Sequence, residues 1–206
     1  MTLENSTKGD LDTARELYES DREQESIDLI DRILGVNRDM DLTQLSDAIG
    51  DRYVEAESAG IRPLMDMEFD SDGVVFREVD SLLNYGVAAI YDALFLRAKC
   101  WSAIISVRTK RSDDDLAPAI ANSLVVSKGF PNDADMLSVL AQPLLFSPNF
   151  VGNGVDMLIS ALKLEADHGI ASILMTNFVP NVLAQLPPDD PATQKWQDWM
   201  DSNGHS

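Results

Sequence analysis

Cysteine is nearly absent from this sequence: Cys100 is the single one in 206 residues. An intramolecular disulfide is therefore excluded, and a reducing compartment, the cytoplasm, is the expected setting. Histidine is almost as scarce, and His168 and His205 alone leave little from which to build a histidine-rich metal site or a Ser-His-Asp triad. Basic residues are heavily outnumbered, sixteen Lys and Arg against thirty-five Asp and Glu, for a formal net charge of −19. A surface so charged repels nucleic acid and anionic membrane and attracts basic partners, so a basic protein partner is expected and direct nucleic-acid or membrane binding is not. Long apolar runs are missing too. The richest stretch, Leu82 to Val107, contains Asp92, Arg97 and Lys99 and makes a poor membrane span. The opening residues, Met1-Thr2-Leu3-Glu4-Asn5, lack the basic-then-apolar order of a secretory signal.

What is present reads as a helical protein with a sizeable core, since 45% of the residues are apolar. Leu11, Ala14, Leu17 and Tyr18 mark a first helix over 11–19 capped by Asp10, and Ile27, Ile30, Ile33 and Leu34 mark a second closed by Gly35 in the left-handed conformation. Ala14 and Ser26 fall where paired helices need small residues. This hairpin resembles a tetratricopeptide unit, although that pattern's tryptophan, glycine and terminal proline are missing and nothing later repeats at its period. A third helix is expected over 42–59, capped by Asp41 or Thr43. The longest, over 80–109, has apolar residues on two adjacent seams and belongs at the centre of a bundle. Further helices are expected over 113–128, 133–146 and 154–168, then 170–186 with a kink at Pro180. A terminal helix follows the stiff Pro187-Pro188 exit, capped by Asp190 with Pro191 in its first turn.

Between the third and the longest helix the pattern changes. Residues 64–69 alternate, Asp70-Ser71-Asp72-Gly73 is a turn signal and Val74-Val75-Phe76 favours strand, so a small β-hairpin is expected near 64–77. Glu68-Phe69-Asp70-Ser71-Asp72-Gly73-Val74-Val75 also resembles the calcium loop of the EF-hand family, which would make Asp70 and Asp72 metal ligands. Glu68 replaces the first aspartate of that pattern, and Val79 stands where a bidentate glutamate should close the shell. The acidic turn is the simpler reading, and no metal or cofactor is expected.

Four other features carry candidate chemistry. Asp92, Lys99, Ser102 and Ser106 form a polar stripe along the longest helix, read as its solvated side. Asp113-Asp114-Asp115 is explained by the exposed N–H groups of a helix start, worth roughly 0.3–1 kcal/mol per acid. His168 is expected to cap the C-terminus of the helix over 154–168. The string Glu165-Ala166-Asp167-His168 resembles the Glu-Pro-x-Asp-His loop of the acidic all-helical chaperones that mature redox enzymes, with one residue and the proline missing. Finally, Trp196, Trp199 and Met200 share one side of the terminal helix. They would anchor a partner's groove or, as expected here, dock on the chain's own bundle, because an exposed tryptophan pair invites aggregation.

These readings converge on an all-α fold: an irregular multi-helix bundle of helical hairpins around a long central helix, with the small β-hairpin as an excursion. The regions are an acidic helical segment (1–62), the turn or hairpin (63–79), an apolar helical core (80–186) and the Pro-Pro linker with its tryptophan helix (187–206). The expected function is a non-enzymatic acidic cytoplasmic binding protein, a chaperone, adaptor or inhibitor, for a basic partner. A nucleic-acid mimic that blocks a DNA-binding protein is the alternative, and an enzyme or small-ligand carrier using the bundle interior is a second. A chaperone requires an apolar groove within the acidic surface, a mimic two rows of carboxylates on one face, and an enzyme a closed pocket with convergent polar groups.

Overall fold

The computed structural model describes residues 3–58, 87–107 and 113–203, and among them every regular element is a helix. The expected β-hairpin and the Asp70–Asp72 loop lie outside the described residues. The chain divides into two compact units, Met1–Cys100 and Trp101–Ser206, the boundary falling inside the long helix. Residues 1–100 carry twenty-three acidic and ten basic residues, and 101–206 carry twelve and six.

In the first unit, α1 (Leu3–Glu19) and α2 (Glu23–Leu34) form a hairpin. The turn is tight because Asp21 adopts the left-handed conformation at φ 56°, which a short polar side chain tolerates, and Arg22 N–H returns to Leu17 O at 2.9 Å. α2 ends at Gly35 with φ 69°, its N–H bonded to Asp31 O. α3 (Leu42–Ser58) opens on a reciprocal cap: Asp41 Oδ1 accepts from the N–H groups of Thr43 and Gln44, and Asp41 N–H donates to Gln44 Oε1. The small residues at the hairpin seam meet, since Ala14 and Ser26 are both fully buried and Ser26 Oγ–H donates to Ala14 O at 2.7 Å.

α4 (Val87–Val107) passes from the first unit into the second. The second unit continues with α5 (Asp113–Gly129), α6 (Ala134–Leu145), α7 (Val151–Leu164), α8 (residues 169–183) and α9 (Pro191–Ser202). α6 starts at Asp133, whose carboxylate accepts Met136 N–H at 2.7 Å. α6 and α7 approach closely at Gly154: a Cβ there would lie 2.8 Å from Leu145 Cδ2 and 3.1 Å from Ala141 O. Around this contact Leu137, Ala141, Leu145, Val155, Leu158, Ala171, Met175 and Val179 form one buried cluster.

Several boundaries differ from expectation. α1 begins at Leu3, so Asp10 lies inside it and does not cap it: Gly9-Asp10 reads as a helix start, but the helical backbone continues through both residues. α7 runs Val151–Leu164 and ends at Glu165, so His168 does not cap it. The kink expected at Pro180 takes the form of a π turn over Leu174–Phe178, set between α-helical turns at Gly169–Ile173 and Val179–Leu183.

Candidate functional site

In the first unit a buried ion pair forms, in which Arg97 Nε donates to Asp31 Oδ1 at 2.7 Å and the Arg97 side chain is 1% exposed. Burial pushes the Asp31 carboxyl above its ordinary range, against the opposing pull of the Arg97 guanidinium. Beside this pair, Cys100 S–H lies 3.4 Å from Ser26 Oγ, and burial raises its pKa to about 11. A thiol so raised stays protonated and is no nucleophile. Neither Asp31 nor Arg97 stands out in composition. Their signal is positional, because Asp31 lies four residues after buried Ile27 and three before buried Leu34, while Arg97 lies three after Leu94 and four before Trp101.

The polar stripe divides along α4. Asp92 is exposed and 3.8 Å from Arg15, its carboxyl raised mainly by partial desolvation. Lys99 reaches back over the Phe95 ring, 4.7 Å from its centroid. Ser102 is buried and donates to Val139 O at 3.0 Å, whereas exposed Ser106 donates to Ser102 O. These four side chains find separate partners and do not converge on one point.

His168 serves the helix that follows it. Its Nδ1 accepts Ala171 N–H at 3.2 Å as the N-cap of α8, and its Nε2 faces Asp135 Oδ1 at 3.1 Å. An acceptor Nδ1 needs its lone pair, so the ring is in the Nε2–H tautomer and donates to Asp135. Both nitrogens are engaged, which leaves none to act as a base. Sequence reasoning placed His168 at the wrong helix because Gly169 reads as a stop signal, whereas here it is the first residue of the next helix.

Beside α8, the described residues of the second unit form an open groove of about 390 Å³. Leu145, Phe146 and Pro148 make one wall, and Phe178, Asn181, Val182, Gln185 and Leu186 the other. The Phe146 and Phe178 rings meet edge to face across it at 5.2 Å. No titratable side chain lines it. The sequence accounts for this neutrality: residues 136–155 and 169–188 contain no Asp, Glu, Lys or Arg, and all eight lining residues fall within these two stretches. Acids are exposed elsewhere on this unit, at Asp114, Asp135, Asp156, Glu165, Asp167, Asp189, Asp198 and Asp201.

Behind the α8 wall sits α9. Asp190 caps it through Ala192 N–H at 2.8 Å and Pro191 occupies its first turn. Ala192 is buried, Trp196 and Trp199 pack partly buried against the unit's core, Met200 is half-buried, and Lys195 pairs with Asp156 of α7 at 2.6 Å. Trp196 Nε1–H donates to Met175 O at 2.9 Å, inside the π turn. A second, shallower cleft of about 280 Å³ lies between α8 and α9, lined in part by Leu183, Leu186 and Trp196. Among the described residues no cluster of three or more His, Cys, Asp and Glu could hold a metal, and no helix is long and apolar enough to cross a membrane. No protein-family model, curated protein or solved structure matches the chain.

Proposed function

We propose that this chain is a non-enzymatic binding protein of the chaperone, adaptor or inhibitor kind, acting in a reducing cytoplasm, that holds a basic partner by an apolar segment seated in the Phe146–Phe178 groove. The observation that carries this reading is the contrast between a groove without a titratable group and a chain of net charge −19. The long-range field draws in a partner rich in Lys and Arg, and the uncharged groove then rewards burial of its apolar side chains at about 25 cal/mol per Å². The same geometry speaks against catalysis in the groove. Acid–base chemistry needs a group that can exchange a proton, and amide side chains are the only polar ones lining it.

A synthetic amphipathic peptide of lysine and leucine serves as the probe, with affinity and association rate measured from low to high salt. Binding is expected, with an association rate that falls as salt rises, and Val182→Asp should weaken it at least about tenfold by placing a charge in the apolar wall. A rate independent of salt, or full affinity in Val182→Asp, would overturn the proposal.

A further inference from the structure

We infer that the terminal helix governs the shape of the groove from behind, because Trp196 holds the π turn that sets the angular position of the groove wall. This rests on the groove being the binding site. Within 174–178 the backbone runs in the i→i−5 register: Val179 N–H bonds to Leu174 O. The next bond in that register would run from residue 180 to Met175 O, and residue 180 is proline, which has no N–H. Met175 O accepts instead from the Trp196 indole at 2.9 Å.

The segment therefore has two discrete arrangements. In the α register Val179 N–H would return to Met175 O, and Pro180 would leave Thr176 O without its helical donor. In the π register the orphan is Met175 O, and the docked indole satisfies it. The two states differ in which carbonyl the proline deprives, and Trp196 stabilises only one of them, which is what a two-state coupling element requires. A π turn accommodates one extra residue, so side chains beyond it are rotated by about one residue's step, roughly 100°, relative to an uninterrupted α-helix. Phe178 and Val182 on α8 and Leu186 just after it, the apolar part of this groove wall, lie at or beyond that point. Undocking of α9 thus turns the wall away from Phe146, and by reciprocity an occupied groove strengthens the hold on α9.

The test is a cycle of Trp196→Phe, Pro180→Ala and the double variant in the full chain, read first without ligand. Trp196→Phe keeps a ring but removes the donor; Pro180→Ala supplies an N–H and makes the indole redundant. Trp196→Phe alone should shift the NMR resonances of 174–182, weaken the Phe146–Phe178 ring contact seen by NOE and lower affinity for the lysine–leucine peptide about fivefold or more. In the Pro180→Ala background the same change should do none of these. Unchanged resonances and ring contact in Trp196→Phe, or an equal effect in both backgrounds, would overturn the inference. If Trp196→Phe unfolds, Pro180→Ala must rescue it; a double variant that also unfolds would assign Trp196 a packing role only. Failure of the peptide to bind the unaltered protein would defeat the groove reading, while the ligand-free measurements would still decide the coupling.

Discussion

At the scale of single residues, Arg97 and Asp31 are expected to dominate the energetics of the first unit. Removing one member of a buried ion pair takes the opposing charge away from the other, which costs about 3–5 kcal/mol, whereas replacing both with apolar residues is often close to neutral. Chemical denaturation should show Arg97→Met and Asp31→Leu each strongly destabilised and the double variant less so than either, a coupling that independent sites would not produce. The pH dependence follows from the raised Asp31 carboxyl. The folded state takes up this proton at a higher pH than the unfolded state, whose carboxyl titrates near 3.8. Stability of the unaltered protein relative to Asp31→Asn should therefore rise, not fall, as pH drops from neutral toward 3.8, and then level off. Cys100 gives a second check. Its shift from 9.0 to about 11 means about a hundredfold less thiolate, so iodoacetamide at pH 8 should modify it at least that much more slowly in the folded protein than in denaturant.

At the scale of elements, the α6–α7 crossing depends on the missing side chain of Gly154. Gly154→Ala forces a methyl against Leu145 and the Ala141 carbonyl and should lower stability by about 1–3 kcal/mol in urea unfolding, despite the better helix propensity of alanine. Much of the element order was legible in the sequence because local chemistry decides it: Gly35, Asp41, Asp190 and Pro191 act where their backbone preferences place them. Asp10 reads as a cap but lies inside α1, and other errors came where one residue can serve two neighbouring elements. Gly169 reads as a helix stop and is a helix start, and Pro180 reads as a kink while the chain answers with a π turn whose stranded carbonyl finds Trp196 twenty-one residues away. The buried Asp31–Arg97 pair joins residues sixty-six apart, and no local period announces such a partnership. The groove was foreseen only as a requirement of the chaperone reading. Its residues were visible in hindsight as two uncharged stretches in a strongly acidic chain, but pairing those stretches across α6 and α8 needs the tertiary fold.

At the scale of the whole molecule, charge and groove have separate tasks. Exposed acids occur in both units, whereas the groove draws on the neutral stretches of the second. Charge should govern how fast a basic partner arrives and the groove how long it stays, since screening acts on exposed charges over about 8 Å at physiological salt and leaves apolar burial intact. Salt should thus change the association rate much more than the dissociation rate. The most direct test of the groove assignment is NMR shift mapping with the lysine–leucine peptide at physiological salt. Perturbations concentrated at 145–148 and 178–186, absent in Val182→Asp, are the predicted result; perturbations spread over the exposed acids of α1 to α3, with the groove unaffected, would contradict it.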